Sequence, residues 1–358
     1  MAQPVPPIPT LRREETRALD RALARAVADL QGPPSAAERV AAIGRLLALA
    51  LAFGVGAAGY GLRPADLMGL AALMLASVAY ALLLIASHEM AHGTWLGWRG
   101  LEFGLGCLLS WPLAWPFATY ARLHRLHHRW NGGDSRDPER TQALPDDPLP
   151  PTPLGHWLRH HPFAVRCLLL GGVGLIFDTA WNGWRLRTVD PHLAWARRLD
   201  GAGVILLQTG LLVVAIRQGA MLRYLLGWLV LERVVGGIMQ YRGLVEHHGL
   251  WHNAGGRSSA LPQRLRQLAT TRDVASGPGL NALLGGLPHH STHHAFPSLP
   301  SPRLPEASAR LQAVLMAHGW PLPRRVGGYG EGLEDRVGDG LVAEPVSDKG
   351  PISDKNKG

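Results

Sequence analysis

Four stretches of this chain are apolar for long enough to cross a bilayer, and no other feature limits its fold as tightly. Ile43–Leu62, Ala65–Ser87, Gly201–Arg217 and Ala220–Tyr241 each approach the ~20 residues that a helix needs to span the hydrocarbon core. The last carries Glu232 and Arg233 and is the poorest of the four by hydropathy. Lipid offers no partner to backbone N–H and C=O groups, so such runs must be helical. The pattern predicts an all-α membrane protein with about four transmembrane helices in two hairpins. Two further apolar segments, Leu101–Ala118 and Phe163–Gly183, read as interfacial helices. The first contains Trp111, Pro112, Trp115 and Pro116, and the second Asp178 and Asn182.

Charge gives the orientation. The net charge of +9 comes from arginine, since the only lysines, Lys349, Lys355 and Lys357, lie in the last ten residues. Arginines cluster before the first run (Arg12, Arg13, Arg17, Arg21, Arg25), between the second and third (among them Arg99, Arg122, Arg125, Arg129), and after the fourth (Arg242, Arg257, Arg264, Arg266). A basic protein can bind nucleic acid by charge alone, but arginines that flank spans follow the positive-inside rule instead. Both termini and the long connection between the hairpins then lie in the cytoplasm. The Arg-rich, Lys-poor composition points to a GC-rich bacterium and hence to its inner membrane. With only Cys107 and Cys167, no cysteine metal cluster or disulfide framework can form.

Residues 1–42 read as a polar, interfacial segment whose residues 10–30 form an amphipathic helix at the membrane surface. Residues 43–319 form the membrane domain, 131–153 within it a Pro- and Asp-rich loop, and 320–358 a disordered Gly-rich tail.

Twelve of the 17 histidines fall into four clusters, all on the predicted cytoplasmic side. His88 and His92 are four apart at the end of the second run, about 40° from one another around a helix. His124, His127 and His128 have the i, i+3, i+4 spacing of one helix face, and His290, His293 and His294 repeat it between Pro288 and Pro297. Glu246, His247 and His248 follow the fourth run, with His252 close behind; His247 is the favoured ninth ligand, and Glu246 its neighbour or a ligand itself. Imidazole is the commonest metal ligand, and eight or more exceed what one ion can use. The cytoplasmic cap therefore holds two metals. His289 reads as a neighbour of the third box, and His156, His160, His161, His192 and His318 as surface residues.

In order and separation these boxes resemble those of the integral-membrane fatty acid desaturase/hydroxylase family, whose pattern is HxxxH, HxxHH and (H/Q)xxHH. Asn131 and Asp137-Pro138 after the second box, and the Gly285-Gly286-Leu287 approach to the third, resemble it too. The resemblance implies a non-haem di-iron centre held by the eight box histidines. It implies O₂ as co-substrate and, most simply, insertion of a C=C bond into a fatty acyl chain. Glu246-His247-His248-Gly-Leu looks more like a membrane alkane hydroxylase, which keeps hydroxylation or ketolation of an alkane, carotenoid or other lipid as the alternative. No fused cytochrome b5 motif is present, so electrons would come from a separate ferredoxin, rubredoxin or cytochrome. His88-Glu89-Met-Ala-His92 also matches the zinc-protease motif, with Glu89 as base, but that reading leaves two boxes without a role. A metal transporter would place its ligands near the bilayer midplane, where this chain is apolar.

Overall fold

A computed structural model of the chain describes residues 12–141, 163–250 and 261–331. Among them the architecture is helical apart from one two-stranded ladder, which agrees with the predicted class. Helix α1 (Arg13–Ala26) precedes α2 (Ala36–Leu62), whose start is set by a capping box. The Ser35 hydroxyl accepts from the Glu38 N–H, and the Glu38 carboxylate accepts from the Ser35 N–H. A short turn leads to α3 (Leu67–His92), where the Asp66 carboxylate accepts the Gly69 N–H at 2.8 Å. This hairpin packs backbone to backbone at Gly56, where a Cβ would lie 2.6 Å from the Ala72 carbonyl oxygen. Outside the contact, Leu47, Leu51 and Val55 of α2 remain 58–69% exposed, an apolar surface suited to lipid.

The segment predicted to be interfacial from Leu101 to Ala118 is two helices, α4 (Arg99–Ser110) and α5 (Phe117–Trp130). A tight turn with Ala114 in the left-handed region separates them, and α4, with 12 residues, is too short to span a bilayer. Helix α6 (Phe163–Arg185) is broken at Gly171, with φ 44° and ψ −137°. The second hairpin is α7 (His192–Arg217) and α8 (Met221–His247). Helices α2, α3 and α7 are long and apolar enough to cross a membrane. Helix α8 matches them in length but not in hydropathy, and its acidic residue explains why it differs. Glu232 is fully buried, pairs with Arg233, and accepts at 3.1 Å the Val173 N–H that lies just past the break in α6. Gln240 donates to the Gly171 carbonyl at 2.6 Å. Gly236 meets the backbone of Gly171 and Gly172 so closely that a side chain there would overlap it.

The cap consists of α9 (Gln263–Ala269), β1 (Arg272–Val274), α10 (Pro278–Leu283), α11 (His290–Ala295), α12 (Leu304–Ala317) and β2 (Arg324–Val326). Three details depart from the sequence-based expectations. The apolar face of α1 (Leu19, Leu23, with Val27 beyond it) is buried in a protein core with Leu265, Phe296, Leu304 and Leu311, so this helix docks on the cap rather than on a bilayer. The boundary drawn at residue 42 falls inside α2, whose first turn is polar because Glu38 is paired with Arg303 of the cap at 2.7 Å. Residues 320–331, assigned to a disordered tail, are folded: Trp320 is buried and β2 pairs in parallel with β1. The remainder of that tail, His156, His160, His161 and His252, and the loop residues 142–153 lie outside the described residues.

Candidate metal centre

Each histidine box is delivered by an element whose ends are fixed independently. Helix α3 stops one residue after His92, at Gly93 in the left-handed conformation. The start of α5 is held by Asp200 of α7, a buried carboxylate that accepts the backbone N–H groups of Ala118 and Thr119 (3.0 and 2.7 Å), the Thr119 hydroxyl and the Trp111 indole. Acceptors at a helix N-terminus satisfy its unpaired N–H groups, so Asp200 sets the register in which α5 presents its histidines. Helix α11 is tied to β1 by Asp273, which accepts the Ser291 N–H at 2.8 Å. Burial raises the Asp273 carboxyl to about 6, although its bonds to Ser291 work in the opposite direction.

The nine predicted histidines come together in one core, all but the half-buried His92 fully enclosed. The ring nitrogens of His88, His92, His124, His128 and His293 form one group, and those of His127, His247 and His294 a second; within each group the atoms lie within 4.8 Å of one another. Glu246, His247 and His290 form a third group that shares His247 with the second. The rings of His128 and His294 stack at 4.1 Å and join the two halves. His248 and His289 fall in none of these groups, and His192 and His318 are exposed.

The donor set fits metal ions. A carboxylate oxygen can only accept, so His124, 2.7 Å from Glu139, and His127, 2.8 Å from Asp137, carry a proton on Nδ1 and point Nε2 inward. Gln267 does the same for His294: its Nε2 donates to the His128 carbonyl, which leaves Oε1 to accept from His294 Nδ1 at 2.9 Å. The Nε2 atoms of His88, His92, His293 and His294 are buried without a hydrogen-bond partner. Burial, reinforced by neighbouring imidazoles, holds His128, His290, His293 and His294 well below the usual histidine range. They are therefore neutral at physiological pH, the form that binds a metal. Such a concentration of buried, unsatisfied nitrogen is costly without a partner, and metal ions accepting those lone pairs would relieve that cost.

Glu89 has another task. It is ion-paired with Arg45 of α2, whose guanidinium also donates to the Ala282 carbonyl at 3.0 Å. Gly285, with φ +59°, lies against the pair so closely that a side chain there would strike the Glu89 carboxylate. A carboxylate clamped in this way is poorly placed to act as a protease base. His88 and His92, moreover, share their group with both other boxes.

Glu139, Gln267 and Asp273 were not foreseen as parts of the site. Gln267 and Asp273 follow no spacing relative to the boxes, whereas Glu139 stands two residues beyond Asp137, which the family flank had marked. A cavity of ≈240 Å³ opens beside the core, bordered by His124, His247 and His290 and walled by Trp115, Tyr120 and Met239.

Among curated proteins no relative matches the chain. The sequence model of the fatty acid desaturase family does match it, over residues 64–325. That span runs from the turn before α3 to the middle of β2 and so takes in every histidine of the core. The chain belongs to the fatty acid desaturase family and is a membrane oxidoreductase of the desaturase/hydroxylase type with a histidine core able to hold metal.

Proposed function

We propose that the histidine core holds two irons and that the protein uses O₂ to place a C=C bond in a lipid acyl chain. His88, His92, His124, His128 and His293 would hold one ion, and His127, His247, His290 and His294 the other, with Glu246 beside the second. Bound there, the metal pair would supply the oxidising power needed to remove hydrogen from an unactivated CH₂. The nine clustered histidines, eight of them buried, carry this reading, because a single-ion site does not need two converging groups.

The protein's own part is positioning. Asp137, Glu139 and Gln267 orient the imidazoles by accepting from their outer ring nitrogens, which aims the other nitrogen of each into the core. Trp115, Tyr120 and Met239 shape an apolar wall that excludes water and aligns the chain, since a mid-chain CH₂ offers no polar handle. Reduction of O₂ to two waters takes four electrons; forming the double bond yields two, and a separate ferredoxin, rubredoxin or cytochrome would provide the rest. With α8 counted as a fourth span, both ends of the described chain and the core face one side, the cytoplasm of a bacterial inner membrane.

Elemental analysis of the detergent-purified full chain tests the assignment. The expected result is about two irons per chain, lost in the double variant His127→Ala/His293→Ala. One zinc per chain, unaffected by that variant, would overturn it.

A further inference from the structure

The cavity beside the histidines is not the uniformly apolar slot that a plain hydrocarbon segment requires. Arg242 of α8 lines it, one turn before Glu246, and one of its terminal nitrogens is 3.0 Å from a Glu246 oxygen. Its Nε is buried and has no hydrogen-bond partner. Tyr120 lines the same cavity from α5, with its ring stacked on His124 at 5.1 Å. Its hydroxyl makes no hydrogen bond to any described residue, and the guanidinium of Arg242 is near enough to act on it electrostatically. Arg242 and Tyr120, from different helices, therefore line one cavity that also borders His124, His247 and His290.

A methylene segment filling this space would expel water and offer no acceptor to the Tyr120 hydroxyl or to the Arg242 guanidinium. An oxygen-bearing segment would satisfy them, and sites built to hydrogen-bond an oxygen discriminate strongly against analogues that lack it. We infer that the substrate is a lipid with a hydrogen-bond-accepting oxygen, a hydroxyl or a carbonyl, close to the carbon that is oxidised, and that Arg242 and Tyr120 bind it. This rests on the histidine core being the oxidising centre, and it narrows the substrate from lipid chains in general to chains already oxygenated near the reacting position.

The test is the affinity of the iron-loaded full chain for a matched pair of probes, 1-dodecanol and n-dodecane, taken from the concentration dependence of thermal stabilisation. Partition of the probes into detergent is common to all variants and cancels when each variant's alcohol-to-alkane ratio is divided by the wild-type ratio. The wild type is expected to prefer the alcohol, and Arg242→Gln and Tyr120→Phe each to reduce that preference by about tenfold. Tyr120→Phe keeps the ring that stacks on His124 and removes only the hydroxyl, so it serves as the test if Arg242→Gln fails to fold. Equal affinity for the two probes, or a preference that survives Tyr120→Phe, overturns the inference. Iron content measured on the same preparations separates the two proposals: iron-replete protein without the preference sinks only this one, and absence of iron sinks both.

Discussion

The two halves of the histidine core are built differently. In the group formed by His88, His92, His124, His128 and His293, only His124 is backed by a carboxylate among the described residues, Glu139. The others are held by ring-on-ring packing, as where His88 and His293 lie 4.8 Å apart. Around His127 and His294 the support is polar. Asp137 backs His127, Gln267 backs His294, and the nearby His290 has Glu246 at 3.4 Å. An imidazole whose remote nitrogen donates to an anion is more basic and more rigid, and binds metal more tightly. The difference teaches that two sites only a ring's width apart need not be equal: the first depends on where its helices are placed, the second on hydrogen bonds to its ligands.

The most severe way to break this asymmetry is Asp137→Asn. Metal affinity of the second group should fall about 10–100-fold, measured by competition with a graded chelator series. In the wild type the second ion should be the last removed, and in the variant that order should vanish. Unchanged retention would mean that packing rather than the carboxylate fixes His127.

A smaller effect concerns protons. In the metal-free protein burial pulls the His127 imidazole down, but Asp137 and Glu139 more than offset this and lift it to about 9. A folded value above the unfolded ~6.5 means that protonated His127 stabilises the metal-free fold fully below pH 6.5, and that this support is lost as pH rises through 9. Metal uptake at pH 7.5 should therefore release close to one proton from the second group, whereas the neutral imidazoles of the first release almost none. Calorimetry in buffers of different ionisation enthalpy counts those protons, and a release of none would show that His127 is already neutral.

The smallest effect is expected from Glu89→Gln. This change removes the ion pair with Arg45 but no inward nitrogen, so iron content should stay at the wild-type level. Loss of iron would mean that Glu89 belongs to the first group after all.

The clustering of the histidines was legible in the sequence because helical spacing alone places i, i+3 and i+4 imidazoles on one face. The hairpins were legible because bilayer thickness sets a length that the chain must meet. What supports the ligands was not. Gln267 reaches His294 across 27 positions and Asp200 reaches α5 across 81 or 82; such contacts leave no periodic trace. The amphipathic α1 showed that it had an apolar face but not which surface would cover it, because lipid and a protein core ask for the same residues. β2 was lost in a Gly-rich context whose composition resembles disorder, although three residues suffice when a strand only has to complete one ladder.

That ladder has a consequence for how the protein is made. Asp273 anchors the third box, β1 carries Asp273, and β2 closes on β1 from beyond residue 323. Tyr329, three residues after β2, then donates to Glu246 at 3.0 Å. A nascent chain thus emerges with its first two boxes about 200 residues ahead of the strand that secures the third, and long-range closures of this kind form late. Until then the histidines already synthesised are an incomplete chelator, open to whichever divalent ion arrives first. On the two-metal reading, the ion that the core takes up would depend on when the ladder closes as well as on the side chains it encloses.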